Sequence, residues 1–365
     1  MSDIKIDDIV NLNSVLEYQK QKFEFLREKV KKLKFQSIDP AGNYTPISYK
    51  AIDGGMMHIN LNPIEASLIE IADSNNNVKM KFCIGESADN QFVEENVSNL
   101  DAIPEIKSFL SALNLTTIKD LSEVLTDRGT YMEIAEWACI FDKINRTVDD
   151  KLIIMRDGLL RSKKLKAELF PKLIEILKHK KDRVMLVGVS KTSQVLSLLS
   201  FVIYAEKIFP SDSIGYVKIP LELELEAYKW SGAGLIGEDR EKPLNYAFGE
   251  LYIAKLSRKS NLLVTIEVPK DLKNNTEVYT RDEIERIFGH LSKDSEYSYP
   301  NIGYPQTIML AHETAVRIGF PADLIRDLIM DKAMNNLDDK TKNAMKEFKI
   351  MESFVDKGVL GGGAE

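Results

Sequence analysis

The order of apolar segments between residues 47 and 209 constrains the fold most strongly. Three strand-like segments come first: ISYKAIDGG, MMHINLNPIEASLIEIA and VKMKFCIGE, with the turn SNNN between the last two. Such a turn favours antiparallel pairing of consecutive strands. A helix, the apolar run KLIIMRDG, a helix, the run RVMLVGVSK and a third helix follow. Short continuous apolar runs are typical of buried strands, so the sequence predicts a mixed α/β sheet flanked by helices.

This order matches the ribonuclease H-like architecture, in which acidic residues lie on the first strand and the fourth. Helices are predicted near 104–113 and 117–125, after an acidic passage that has the composition of a loop. Beyond residue 212 the pattern becomes β-rich: IGYVKIPLELELEAY alternates in places, and GELYIAKLS and NLLVTIEVP indicate paired strands. Two helices complete this β-rich elaboration, one capped by Thr280 or Asp282 and one begun by Pro305.

The N-terminal segment 8–36 carries a rough apolar stripe among many charges, which predicts one long helix. It either packs on the domain as an arm or forms a dimer or partner contact. We expect a helical arm over residues 1–40, one elaborated domain over 41–355 and a disordered tail over 356–365.

Composition indicates a soluble globular protein, since 44% of the 365 residues are hydrophobic and 29% are charged. Neither a membrane-spanning apolar stretch nor a secretion signal is evident, so a cytoplasmic location without membrane contact is expected. Cys83 and Cys139 lie in apolar runs and are predicted to be buried free thiols. The net charge of −7 gives no general attraction for nucleic acid. A local basic cluster, which could guide a strand, consists of Arg161, Lys163, Lys164 and Lys166.

Three carboxylates lie at sequence positions from which they could form one metal site together. Asp53 and Asp157 each precede a glycine at the end of an apolar run, and Glu136 lies on the intervening helix TYMEIAEWACIF. A carboxylate buried on that apolar helix is costly unless it is paired or bound to metal. Glu133 shares the face of Glu136 and is an alternative ligand. Carboxylate oxygens suit Mg²⁺ or Mn²⁺, so the sequence predicts one or two such ions.

Three further residues are candidates for catalysis. Lys191 follows a buried strand, where it can meet a phosphate, although a solvated strand-end lysine is the simpler interpretation. Tyr304 and His312 lie eight residues apart around a helix start, and His312 can bind metal or fill the core. The glycine pattern GAGLIG at residues 232–237 lacks the strand and helix of a dinucleotide site and is interpreted as a flexible loop.

Five segments resemble, in order, the motifs of the NurA nucleases: KAIDGG, MEIAEWACIF, LIIMRDGLL, VMLVGVSK and YPQTIMLAHETAV. The resemblance runs from about residue 45 to about 320, as spaced motifs. It implies catalytic roles for Asp53, Glu136, Asp157, Lys191, Tyr304 and His312. Among them, it implies Asp53, Glu136, Asp157 and His312 as the metal ligands. One departure is Leu159, where the family commonly has serine.

The resemblance also implies an activity and partners. NurA nucleases are ribonuclease H-like homodimers that use Mn²⁺, with Mg²⁺ as an alternative ion. They degrade DNA as 5′-to-3′ exonucleases and single-strand endonucleases, and they work with the hexameric HerA ATPase in DNA end processing, for repair or for defence. Two other functions stay open at this point. One is an inactive adaptor that docks on an ATPase ring, and the other is a ribonuclease H-like enzyme that acts on RNA.

Overall fold

The computed structural model describes residues 12–40, 47–61, 64–86, 90–148, 151–230 and 247–317, with short pieces between 328 and 347. The helices are α1 Leu12–Val30, α2 Val93–Asp101, α3 Pro104–Ala112, α4 Arg128–Arg146, α5 Leu169–Lys180, α6 Gln194–Ala205, α7 Leu221–Trp230, α8 Arg281–Ser295 and α9 Gln306–Val316. The strands are β1 Phe35–Ser37, β2 Ser48–Leu61, β3 Ile64–Asp73, β4 Val78–Glu86, β5 Leu152–Asp157, β6 Val184–Ser190, β7 Gly215–Lys218, β8 Gly249–Lys255, β9 Val264–Asp271 and β10 Thr276–Glu277.

One sheet of ten strands organises the molecule. Its order is β1-β7-β8-β9-β6-β5-β2-β3-β4, and β10 pairs with β9. The pairs β2·β5 and β5·β6 are parallel, whereas β2·β3 and β3·β4 are antiparallel. Three antiparallel strands followed by two parallel ones reproduce the ribonuclease H-like order that the sequence predicts. On the other side of β6, the strands β9, β8, β7 and β1 extend the sheet by antiparallel pairing. The mixed sheet and its β-rich elaboration are therefore confirmed.

Helices cover both faces of β2, and two adjacent glycines show how closely. A Cβ at Gly54 would meet Glu136 Oε1 and Met132 of α4 at 2.7 Å, and a Cβ at Gly55 would lie 2.2 Å from the carbonyl oxygen of Ala315 in α9. Neighbouring residues of a strand point to opposite faces. Helix α4 therefore lies on the Gly54 face and α9 on the Gly55 face.

Two groups of buried apolar side chains hold these layers together. The larger lies around β2–β6 and includes Trp137 and Phe141 of α4 and Phe248 beside β8. The smaller joins Leu26 and Val30 of α1 to the side chains of α6 and α7. The last turns of α1 thus pack on the same chain. No helix in the described ranges is long and apolar enough to cross a membrane.

Several local predictions were wrong. The predicted helix over 8–36 ends at Val30, and Phe35–Ser37 pairs with β7 as a strand. The acidic passage before residue 104 contains helix α2. Two of its glutamates lie in the first turn, where their negative charges interact favourably with the helix dipole. Over 117–125, only Ile118–Asp120 forms a short 3₁₀ turn. The first two strand-like segments meet in one long strand, β2, and the hairpin to β3 comes between Leu61 and Ile64.

Two more corrections concern α7 and a thiol. The alternating segment LELELEAYKW is the helix α7, in which Leu223 and Ala227, one turn apart, are buried. Both cysteines are free, but Cys83 is exposed because it lies on the sheet-edge strand β4, where exposed and covered residues alternate. The predicted cap at Thr280 is confirmed by its reciprocal hydrogen bonds with Glu283. The loop at 232–237, the tail and residues 1–11 lie outside the described residues.

Candidate metal centre

Asp53 and Asp157 are neighbours because of the register between two parallel strands. Ile52 pairs with Arg156 as the last step of the β2·β5 ladder, so the next residues on the two strands are these aspartates. Asp53 lies in the middle of β2, at the point where that strand leaves β5 and continues only with β3. Side chains one position beyond a paired step share a face of the sheet. Both carboxylates therefore face α9.

Helix α9 adds an imidazole to the two carboxylates. His312 Nδ1 lies 2.7 Å from Asp53 Oδ2 and 3.7 Å from Asp157 Oδ2. The ligand atoms of these three residues all lie within 4.8 Å of one another. Asp53 is buried and Asp157 partly so, while half of the His312 side chain is exposed. The cluster thus has one side open to solvent.

The start of α9 is fixed by a carboxylate of α8. Asp294 accepts hydrogen bonds from the backbone N–H and the hydroxyl of Thr307, both at 3.0 Å. Thr307 is the second residue of the helix, whose first N–H groups have no partner within the helix. Burial raises the pKa of Asp294. Asp294 therefore anchors the helix that carries His312, a role that the sequence gave no reason to assign.

Tyr304 holds the second aspartate in place. Its buried hydroxyl lies 2.7 Å from Asp157 Oδ1 and 3.0 Å from the carbonyl oxygen of Val189. A hydroxyl has one proton, which it can donate to either acceptor. Lys191 Nζ lies 4.2 Å from the centre of the Tyr304 ring, within cation–π range. Tyr304 and Lys191 thus lie beside the cluster, and the Tyr304 hydroxyl contacts its Asp157.

The titration of these groups follows from their surroundings. Burial, followed by the charge of Asp53, raises the pKa of Asp157. The hydrogen bond to Asp53 raises the pKa of His312, so the imidazolium is favoured between the carboxylates. Burial raises the pKa of Tyr304 well above 10.0, which keeps its proton on the hydroxyl. Two close carboxylates beside an imidazole whose pKa is raised form a site in which a cation can take the place of the imidazole proton.

Glu136 does not join this group; it pairs with Arg156. Its Oε2 accepts from Arg156 Nε at 3.0 Å and from a terminal guanidinium nitrogen at 2.8 Å. Glu133 lies 3.5 Å from the same guanidinium. Both partners of the main pair are buried. Burial raises the pKa of Glu136 to about 7, against the opposing charge of Arg156.

The two faces of β2 explain this separation. Glu136 approaches from the Gly54 face, whereas Asp53 shares the face of Gly55 and α9. The alternation of β5 likewise turns Arg156 and Asp157 to opposite faces. Arg156 was missed by the sequence reasoning, although an arginine inside the apolar run KLIIMRDG is a signal of a buried ion pair. A metal role for Glu136 stays a prediction.

In the basic cluster predicted after β5, Arg161 is held in buried ion pairs, whereas the lysines lie nearer to the surface. The Arg161 guanidinium binds Glu267 and Glu224, and all three side chains are largely buried. Lys164 lies 3.2 Å from Asp127, and Lys166 lies 4.0 Å from Glu123. Lys163 is exposed. The prediction of a basic guide for a strand was wrong for Arg161, because its charge joins the segment after β5 to β9 and α7.

The donor set fits a divalent cation that prefers oxygen ligands. Asp53, Asp157 and His312 offer two carboxylates and one imidazole, a combination suited to Mn²⁺. Mg²⁺, which prefers oxygen ligands, is the alternative ion. In the ranges that the structure describes, these three side chains have their ligand atoms close enough together, within 4.8 Å, to hold a metal ion. The fold and the site together define the class of this protein. It has a ribonuclease H-like sheet, and a carboxylate–imidazole cluster lies where the parallel strands of that sheet separate.

Solved structures that this chain resembles include NurA nucleases. The NurA nuclease from Sulfolobus solfataricus matches with a TM-score of 0.48 and 13% identity, over 91% of this chain and 97% of that chain. Another NurA structure matches with a TM-score of 0.45 and 11% identity, over 92% and 98%. A NurA structure bound to dAMP and manganese matches with a TM-score of 0.38 and 10% identity, over 82% and 92%. No family model and no curated protein matches the sequence. Similarity at this level does not assign an activity, so the chemistry has to follow from the side chains of this chain.

Proposed function

We propose that this protein is a metal-dependent nuclease that hydrolyses phosphodiester bonds in DNA. The observation that carries the proposal is the cluster of Asp53, Asp157 and His312, with ligand atoms within 4.8 Å of one another. One side of the cluster is open at His312, which gives a polymeric substrate access. Mn²⁺ or Mg²⁺ is the ion that we expect at these ligands.

Each residue has a role in this reaction. Asp53, Asp157 and His312 hold the ion, which when bound polarises a phosphoryl oxygen and lowers the pKa of water. Tyr304 keeps Asp157 oriented through its hydroxyl, as partners of metal ligands generally do. Lys191, beside the Tyr304 ring, brings a positive charge toward the phosphate on which negative charge develops.

The site can be tested directly with labelled nucleic acids. Purified protein is incubated with DNA and with RNA of the same sequence, in Mn²⁺, Mg²⁺ or EDTA. We expect cleavage of DNA that needs the ion and is lost in Asp53→Asn. Preferential cleavage of RNA would contradict the DNA assignment. Absence of cleavage of either polymer, in a protein that still binds Mn²⁺, would support the inactive adaptor instead.

The finer activity that we propose is 5′-to-3′ exonuclease and single-strand endonuclease action. Substrates labelled at either end distinguish the polarity, because a 5′-to-3′ enzyme releases a 5′ label first in short products. Circular single-stranded DNA has no end, so its cleavage would establish the endonuclease activity. Resistance of the circle, together with release of a 3′ label first, would contradict this part of the proposal.

We also propose that the protein acts as a homodimer with a HerA-type hexameric ATPase. The net charge of −7 gives the isolated chain no general attraction for a polyanion, and three of the four residues of the basic cluster after β5 take part in ion pairs within the chain. A ring that encircles DNA would hold the substrate at high effective concentration. We expect the nuclease rate at fixed salt to rise with the cognate ATPase and ATP. Equal rates with and without the ATPase would contradict this partnership.

A further inference from the structure

Two loops pack together beside the end of α9 that is nearer to Tyr304. One is the β8–β9 loop, residues 256–263, and the other is the α8–α9 loop, residues 296–305. The hydroxyl of Ser257 donates to the carbonyl of Glu296 at 3.4 Å, and a Cβ at Gly303 would lie 3.4 Å from Ser260 and Leu262. Gly303 has a φ of +97°, a conformation that favours glycine. The loops thus form one continuous surface.

This surface presents aromatic and basic side chains to solvent. Tyr299 is 81% exposed and Tyr297 is 72% exposed, the two highest values among large hydrophobic side chains in the described ranges. Lys259 Nζ lies 3.6 Å from the centre of the Tyr297 ring, and Arg258 beside it is exposed. We call Tyr297, Tyr299, Arg258 and Lys259 the tyrosine patch. Tyr297 and Tyr299 therefore keep most of their aromatic surface open to a ligand that can stack on it.

Tyr299 of the patch lies near the start of the helix that carries His312. The backbone N–H of Tyr299 donates to Gln306 Oε1 at 2.7 Å, so Tyr299 lies at the first residue of α9. From there to His312 the helix rises about 9 Å, at about 1.5 Å per residue. Tyr304, only a few residues after Tyr299, reaches Asp157 with its hydroxyl. A strand that enters the site would therefore pass the patch within a few nucleotides.

We propose that the tyrosine patch binds the single-stranded part of a DNA substrate next to the metal centre, by stacking its bases on Tyr297 and Tyr299. The proposal deepens the nuclease function and rests on it. Bases of every identity stack on an aromatic ring, so such a surface binds strands without sequence preference. Lys259 and Arg258 supply the positive charge for the adjacent phosphates. In a protein with a net charge of −7, this local combination can select an unpaired strand, because paired bases offer no free face.

Binding is measured without cleavage, in Ca²⁺ or EDTA, with a fluorescent oligothymidylate of about 16 nucleotides. The test variants are Tyr297→Ala, Tyr299→Ala and the double variant, compared with the corresponding phenylalanine variants. The matched control is Tyr18→Ala on α1, a tyrosine that is 61% exposed and lies outside the patch. We expect each single alanine variant to bind about 5- to 100-fold more weakly and the double alanine variant more weakly still, while the phenylalanine and Tyr18→Ala variants bind like the wild type. A blunt duplex should show little change.

Several outcomes would overturn the proposal. One is unchanged oligothymidylate affinity in the folded double alanine variant; another is an equal loss for the duplex. If the same variant loses a dimer in sedimentation while its DNA affinity is unchanged, the patch is a protein interface. The nuclease function is judged separately, by metal-dependent cleavage in the wild type. If the wild type cleaves DNA and the double alanine variant binds oligothymidylate as the wild type does, only the stacking surface is contradicted. If the double alanine variant binds more weakly but the wild type cleaves nothing, only the nuclease function is contradicted.

Discussion

His312 Nδ1 lies 2.7 Å from Asp53 Oδ2, although 259 residues separate the two in sequence. Helix α9 carries the imidazole, and β2 carries the carboxylate. Their contact depends on the packing of α9 over β2, where the Cα of Gly55 faces the backbone of Ala315. The candidate metal centre therefore depends on the contact between β2 and α9, and substitutions at that contact test it.

Replacement of the aspartates should separate activity from stability. Asp157→Asn removes a ligand and one of two neighbouring charges, so we expect Mn²⁺ affinity to fall by more than the roughly 10- to 100-fold typical of a partner outside the ligand shell. Cleavage should fall with it, while the Tm without metal stays unchanged or rises, because repulsion from Asp53 is removed. Calorimetric titration measures the Mn²⁺ affinity, and thermal melts measure the Tm. Wild-type activity of Asp53→Asn and Asp157→Asn at saturating Mn²⁺ would refute the ligand assignment.

The pH dependence of metal binding should follow His312. Its pKa is raised above 6.5 by the hydrogen bond to Asp53, and only the neutral imidazole binds a metal ion. Mn²⁺ therefore displaces a proton, and its affinity should increase as pH rises above about 6.5. Titration in buffers with different heats of protonation counts the released protons. A wild-type affinity that is flat between about pH 6 and 8 would contradict the pairing.

The same residue affects stability in the opposite direction when metal is absent. A raised pKa in the folded state contributes stability that is complete below the unfolded value of about 6.5 and is lost as pH rises through the folded pKa. Removal of the imidazole in His312→Gln should abolish this contribution. The Tm difference between wild type and variant should hence shrink at higher pH.

Glu136 and Arg156 should behave as a structural pair. Glu136→Ala leaves the buried guanidinium with Glu133, 3.5 Å away, as its remaining ion-pair partner, and loss of one partner of a buried pair costs about 3–5 kcal/mol. We expect a large loss in the free energy of unfolding but a small change in Mn²⁺ affinity. The double variant Glu136→Leu/Arg156→Met should regain much of the stability. A loss of Mn²⁺ affinity comparable to that of Asp157→Asn would instead make Glu136 a ligand.

Two adjacent glycines offer a matched comparison. A methyl group at Gly55 would press on α9, and one at Gly54 would press on the Glu136 carboxylate and Met132. Overpacking of this kind costs about 1–3 kcal/mol, so both Gly→Ala variants should unfold at lower denaturant concentration. Only Gly55→Ala displaces the helix of His312, and we expect it alone to weaken Mn²⁺ binding. Equal Mn²⁺ affinities in the two folded variants would contradict the assembly of the site by α9.

Tyr304→Phe tests the orientation of Asp157. The variant keeps the ring under Lys191 but loses the hydroxyl that contacts Asp157 and Val189. A lost hydrogen bond costs about 1 kcal/mol, and a lost partner of a metal ligand costs about 10- to 100-fold in metal affinity or activity. We expect turnover to fall in that range while substrate affinity changes little. Turnover equal to wild type would leave Tyr304 a purely structural role.

The order of strands and helices followed from the sequence alone, because apolar periodicity and turn residues are local signals. The runs that end in Asp53 and Asp157 predicted strands, but the parallel pairing of β2 with β5 and its register, which bring the two carboxylates side by side, come from the structure. Local signals failed where two periodicities compete. In LELELEAYKW, leucines at every second position suggest a strand, yet Pro220 and the acidic first turn favour a helix start.

Only the tertiary structure decided which partners the carboxylates have. Glu136 and His312 both qualify as ligands by residue type, but the sequence does not say which face of β2 each helix covers. Packing placed α4 against Gly54 and α9 against Gly55, and it buried Arg156 where its charge needs the Glu136 carboxylate. Contacts between residues so far apart in the chain depend on how whole elements pack, and no local pattern encodes that choice.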